Sequence, residues 1–364
     1  MGIKTSKRWE VGSYFHWKHE VWKDELNSSQ PWSPGVMYGT GRDALLALLQ
    51  HLTPNVERVW MPSYYCAEVV KAIRDAGYVV ERYIDSPLMS IPAFSDVNLG
   101  ERDILVIVNY FGLRSSPSCC FYERHRQGIL IEDHTHDPLS IWANSSKADY
   151  CFASLRKWLP IPDGAVLWSP QLHELPRRMR VTRRRQEIVN CILLGMMLKA
   201  SYLHGSRIRK SEYRRRLQTA ERQLAHSELS SISRWSRDVL NQLPVSKWRR
   251  MRHRNYVVLA RILQQEPRLR VLEPERSDCV PFAVVIVFQT RQQRDEVRQE
   301  LQRRKIYAAV HWPVKFDAGI DDASLDLAGR ILSIPCDMRY TETDMQIVGI
   351  SLLQTFASVM ECFL

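Results

Sequence analysis

The chain has 364 residues, 45% of them hydrophobic and 25% charged, with a formal net charge of +11. This is the composition of a soluble globular protein long enough for one large domain and a smaller one. Its longest apolar run, Ile188 to Leu198, is broken by Asn190 and Gly195 and is too short to span a bilayer, which excludes a membrane-spanning reading.

The first twenty residues contain no apolar core of a signal peptide, and only the Met-Gly start matches a lipidation signal, so a cytoplasmic location is expected. Of the eight cysteines, Cys66, Cys151, Cys191 and Cys279 lie in apolar surroundings and read as reduced core residues. Cys119-Cys120 and His134-x-His136 are not accompanied by C-x-x-C or H-x-x-x-H spacing, so no metal site is expected.

In chain order, a Trp-rich start leads to Tyr38-Gly39-Thr40-Gly41-Arg42-Asp43, which opens a helical run at Ala44 to Leu49. A glycine turn feeding a helix N-terminus presents unpaired N–H groups and the positive end of the helix dipole to an anion. The spacing is neither a Walker nor a Rossmann pattern. Strands are expected at Val56 to Met61, Val79 to Ile84, Asp103 to Asn109, Ile129 to Glu132 and Tyr150 to Ser154, with a helix from Ala67 to Ala76. Strands separated by helix-sized segments indicate βαβ units and a mainly parallel sheet. From Leu172 to Leu263 the chain reads as helical and Arg-rich. Pro281 to Phe288 reads as a buried strand, Arg291 to Lys305 as an amphipathic helix and Ile331 to Pro335 as a short strand, with Thr341 capping a last helix. The division expected is a large α/β domain at 1–248, with an Arg-rich helical extension, and a smaller α+β domain at 249–364.

Two residues stand out. The run Ile129-Leu130-Ile131 delivers Asp133 at a strand end, and the strand from Tyr150 delivers Ser154 and Lys157 into a turn closed by Pro160, Pro162 and Gly164. Ligands of open α/β sheets bind at the carboxyl ends of strands. A lysine and a carboxylate placed there suit pyridoxal 5'-phosphate (PLP), which needs an amine for a Schiff base and an anionic partner for its ring nitrogen. The arginine clusters (177 to 185, 207 to 216, 249 to 254) fall on polar helix faces; they suit an anionic small substrate as well as nucleic acid, and the former is expected.

The order of these segments resembles the DegT/DnrJ/StrS sugar aminotransferases, a family of fold-type I PLP enzymes, over nearly the whole chain. The matching stretches are Gly41-Arg42-Asp43-Ala44-Leu45, Pro62-Ser63-Tyr64-Tyr65-Cys66, Glu132-Asp133 with His136 in the place of a Gln, Ser154 to Lys157 with Asp163-Gly164, and Leu332-Ser333-Ile334-Pro335 with Tyr340-Thr341-Glu342. The chain departs from the family at Phe152, where the phosphate-binding Ser is usual, at Trp158, where Asn is usual, and at Arg42-Asp43, where a Thr-Ala pair is usual. The resemblance implies the aspartate aminotransferase fold and a cofactor site of Lys157, Asp133, His136, Ser154, Gly41, Arg42, Asp43 and Tyr65. Lys157 would carry the Schiff base and move the proton, Asp133 would face the ring nitrogen, Tyr65 would cover the ring, and Ser154 and Arg42 would bind phosphate. It also implies amino transfer, by family precedent from glutamate, to a keto sugar on a nucleotide carrier, and a homodimer. The stripe Ile188, Ile192, Met196 and the tryptophans Trp9, Trp17, Trp22 and Trp32 are apolar surfaces that a two-fold partner would cover. A PLP-dependent dehydratase and a binding protein that has lost turnover are the alternatives.

Overall fold

The computed structural model describes residues 7–17, 35–90, 92–94, 97–313 and 319–361. The five strands expected between 56 and 154 lie side by side in it, all parallel. In chain order, β1 (Val11–Gly12) and β2 (Val36–Tyr38) precede α1 (Gly41–Leu52), β3 (Arg58–Pro62), α2 (Ala67–Asp75) and β4 (Val79–Tyr83). Then come β5 (Asp103–Val108), α3 (Cys119–Arg124), β6 (Ile129–Asp133), α4 (Ile141–Asn144), β7 (Tyr150–Ala153), α5 (Leu155–Trp158) and β8 (Ala165–Trp168). The Arg-rich region forms α6 (Arg183–Leu203), α7 (Lys210–Ala225), α8 (Arg234–Leu240) and α9 (Val245–Leu263). The remainder is β9 (Arg270–Val271), β10 (Ala283–Val287), α10 (Arg291–Arg303), β11 (Ile306–Tyr307), α11 (Asp322–Arg330), β12 (Ile331–Pro335) and α12 (Glu342–Glu361).

The main sheet has the order β2-β8-β7-β6-β5-β3-β4, with β2 and β8 antiparallel to their neighbours. Its central strands are near-continuous apolar runs because both faces are covered. On β5, Ile104, Val106 and Val108 pack toward α1 and α2, whereas Leu105 and Ile107 pack with Tyr122 and Trp142 on the other face. The same alternation governs β6. Ile131 lies on the α1 face and Leu130 on the opposite one, so the period of two sends Asp133 to the α1 side and Glu132 away from it.

The smaller unit is an antiparallel sheet of order β12-β10-β9, packed against α9, α10 and α12. Thr341 caps α12 by accepting from the Asp344 amide at 3.2 Å, while Asp344 accepts from the Thr341 amide at 2.8 Å. Position 248, the expected domain boundary, lies within α9, a continuous helix with no linker there. The stripe Ile188, Ile192 and Met196 does not face outward: it is buried against Tyr213, Leu217, Ala220 and Leu224 of α7. Trp17 packs on Trp235, and the Trp9 indole donates to Asp344 at 2.7 Å. The stripe is covered by its own chain and gives no argument for a partner, Trp9 and Trp17 are half-buried, and Trp22 and Trp32 lie outside the described residues. Among the described residues no helix is long and apolar enough to cross a membrane.

Candidate functional site

A cavity of about 970 Å³ opens where β6 and β7 end, and Gly41, Arg42, Tyr65, Asp133, His136, Ser154 and Lys157 all line it. Seven of the eight residues singled out in the sequence therefore converge, and the eighth, Asp43, does not. The Asp43 carboxylate is fully buried behind α1 and pairs with Arg185 at 2.7 Å, out of reach of a ligand in the cavity.

Lys157 sits on the one-turn helix α5 that follows β7, with its side chain open to the cavity. Its amine makes no hydrogen bond or ion pair with any described residue. The neighbouring Arg156 charge, and then burial by the surrounding walls, hold its pKa below the ordinary lysine value, with Glu221 opposing. Arg156 is itself fixed by an ion pair with Glu221 of α7. A lysine biased toward its neutral form and free of partners is a nucleophile.

Asp133 is buried at the end of β6. It accepts from the Thr135 amide at 2.8 Å and from the Tyr65 hydroxyl at 2.6 Å. Burial raises its pKa, and the Thr135 and Tyr65 hydrogen bonds pull it back. The Tyr65 hydroxyl is thereby committed, and its ring tilts against Trp312 at 5.5 Å. His136 accepts the Phe111 amide proton on Nδ1 at 2.9 Å and lies between the Phe111 ring (5.2 Å, 2°) and the Trp312 ring (5.5 Å, 22°). Burial first, then the His311 and Lys157 charges, hold its pKa well below the ordinary histidine value, so the imidazole is neutral.

The helix start of α1 forms the opposite wall. Thr40 caps the helix through the Asp43 amide at 3.1 Å. A Cβ on Gly41 would stand 3.0 Å from Ser154 Cβ, so glycine permits the close approach of α1 to the β7 turn. The Ser154 hydroxyl makes no hydrogen bond with any described residue, while its amide donates to Thr135 Oγ1 at 3.0 Å. Arg42, expected at a phosphate, lines the cavity but spends its guanidinium on α7. It donates to the carbonyls of Ala225, Leu224 (3.1 Å) and Ser227 (2.9 Å), capping that helix.

Sequence reasoning missed Thr135, Arg156, Glu221, Phe282, His311 and Trp312, all on the cavity wall. His311-Trp312-Pro313 follows β11 in the sequence. Nothing local marks it as part of a site 150 residues away. Behind the sheet, Glu132, His134 and Cys151 bring their donor atoms within 4.8 Å of one another, all buried. Their mutual hydrogen bonds account for that grouping: His134 to Glu132 at 2.8 Å, Cys151 to Glu132 at 3.6 Å, and Tyr122 to Glu132 at 2.6 Å.

No protein-family model matches the sequence, and no curated protein matches it. Solved structures do. Spr1654 from Streptococcus pneumoniae in its PMP-form superposes with a TM-score of 0.64 at 11% identity, covering 90% of this chain and 87% of that one. PseC of Helicobacter pylori, an aminotransferase involved in the biosynthesis of pseudoaminic acid, gives 0.61 at 14% identity over 96% of this chain and 100% of that one. A DegT DnrJ EryC1 StrS aminotransferase from Brucella abortus gives 0.58 at 14% identity over 88% and 85%. The chain has the fold of these aminotransferases, the fold-type I arrangement of a large α/β unit with a mainly parallel sheet and a smaller C-terminal unit.

Proposed function

We propose that the chain is a PLP-dependent aminotransferase that transfers an amino group, with glutamate as donor, to a keto sugar carried on a nucleotide. The observation that supports it most is the pairing, in one cavity, of the Lys157 amine, without a partner among the described residues, with the buried Asp133 carboxylate at the ends of adjacent parallel strands.

The residues present fit the cofactor. A free amine, a carboxylate with hydrogen-bond capacity to spare, an unpartnered Ser154 hydroxyl and the start of α1 behind a glycine make a donor set for a ring nitrogen, an aldehyde and a phosphate. Bound PLP supplies the electron sink for carbanion chemistry. Lys157 would anchor it and, once displaced by the donor, move the proton from the donor Cα; Arg156 favours the neutral amine that this needs. Asp133, held by Thr135 and Tyr65, would keep the ring nitrogen protonated, and that cationic neighbour offsets the rise that burial imposes on the carboxyl. Ser154 Oγ and the first amides of α1 would hold the phosphate, with Arg42 acting through α7 rather than on the phosphate. The stacked Phe111, His136 and Trp312 rings exclude water from one side.

The purified protein with PLP is expected to absorb in the visible and, after borohydride reduction, to carry the label on Lys157 in peptide mapping. A label elsewhere, or none, removes the reading. Stoichiometric release of 2-oxoglutarate from glutamate separates amino transfer from a dehydratase on the same scaffold. The reading includes a homodimer, by analogy with the enzymes of this fold; a species at the 42.6 kDa chain mass in sedimentation equilibrium of the PLP-loaded protein would exclude it.

A further inference from the structure

Away from the cofactor cavity, a second pocket of about 820 Å³ lies between α6 and α7, lined by Cys191, Arg207, Arg209, Ser211, Glu212, Arg215, Arg216 and Thr219. Arg207 and Arg209 come from the loop joining the two helices. Glu212, Arg215, Arg216 and Thr219 follow the i, i+3, i+4, i+7 spacing that places side chains on one helical face. At 100° per residue this face lies across α7 from Glu221 and Ala225, which line the cofactor cavity, and the two pockets share no residue.

The pocket gathers four guanidinium groups into one concavity with little negative charge to balance them. Several exposed arginines elsewhere have acids beside them: Arg184 with Glu187, Arg268 with Glu266, Arg276 with Asp278, Arg303 and Arg304 with Glu300, Arg330 with Asp326. Arg207, Arg209, Arg215 and Arg216 make no ion pair or side-chain hydrogen bond with any described residue, and the pocket offers one carboxylate, Glu212, against four guanidinium groups. Guanidinium forks match phosphate oxygens in bidentate geometry, and Ser211 and Thr219 add hydroxyl donors. The lining contains no aromatic ring on which a base stacks, which disfavours single-stranded nucleic acid. Its volume is that of a small-ligand site.

We infer that this pocket binds a small polyphosphorylated anion, through the phosphate chain, at a site independent of the cofactor cavity. Calorimetric titration of the full-length protein with inorganic pyrophosphate, in low salt and without PLP, tests it. One saturable site is expected, weakened at least tenfold (about 1.4 kcal/mol) in the R215A/R216A protein and weakened again as salt is raised. ADP competing with pyrophosphate would place a nucleotide's phosphates in the pocket; failure of ADP to compete would assign it to free polyphosphate. The R207A/R209A protein carries the same test if the first variant loses its circular-dichroism melt. Absence of saturable binding, affinity unchanged in a folded variant, or tighter arginine-dependent binding of RNA or anionic vesicles than of pyrophosphate would each overturn the inference.

Discussion

The Tyr65 hydroxyl donates a 2.6 Å hydrogen bond to the buried Asp133 carboxylate, joining the loop after β3 to the end of β6. Because, among the described residues, the Asp133 carboxylate accepts only from Thr135 and Tyr65, this contact sets where the carboxylate points. Tyr65→Phe is expected to lower stability by about 1–3 kcal/mol, the cost of leaving a buried acceptor short of a donor. Chemical denaturation measures it, and an unchanged midpoint would show that the bond carries no weight.

Asp133→Asn removes the anionic partner proposed for the ring nitrogen. The half-reaction with glutamate, followed by the loss of visible absorbance in stopped flow, should slow by about 10² to 10³. A near-normal rate would assign Asp133 a purely structural role.

Lys157→Ala should leave the fold intact, since the side chain has no partner among the described residues and stands open to the cavity. Its stability is expected within about 0.5 kcal/mol of the parent, while the borohydride label disappears. A large fall in melting temperature would mean that Lys157 serves packing instead.

Gly41→Ala places a methyl 3.0 Å from Ser154 Cβ, inside the narrow approach of α1 to the β7 turn. The expected result is a folded protein whose PLP affinity, by fluorescence titration, falls at least tenfold, about 1.4 kcal/mol. Unchanged affinity would move the phosphate away from this wall.

The cavity histidines make the fold acid-sensitive. Burial, then Lys157, pushes His311 down to about 4 from an ordinary 6.5, and His136 is pushed down well below 6.5 by burial and by the His311, Lys157 and Arg252 charges. Between pH 6.5 and 4 the unfolded chain binds the more protons at these sites, so their contribution is complete above 6.5 and is lost as pH falls toward 4. Denaturation midpoints should therefore decline over that window, and less steeply in the H136Q/H311Q protein. Parallel declines in the two proteins would refute the assignment.

Much of this was legible locally. Unbroken apolar runs such as Ile129 to Ile131 mark strands covered on both faces, and the period of two along β6 sends Asp133 to the α1 face and Glu132 behind the sheet. The order of strands and turns was enough to place Asp133, Ser154 and Lys157 in one cavity. What the sequence left open concerns partners distant along the chain. Arg42 and Asp43 read as a phosphate turn, yet they are taken up by the end of α7 and by Arg185, over 140 residues away. The stripe Ile188, Ile192, Met196 read as a surface for a two-fold partner, and the packing of α7 made it core. Trp312 and His311 entered the site from the smaller unit. Local periodicity determines which face of an element is apolar; only the packed chain determines which distant charge or ring meets it, because ion pairs and ring contacts leave no spacing in the sequence to read.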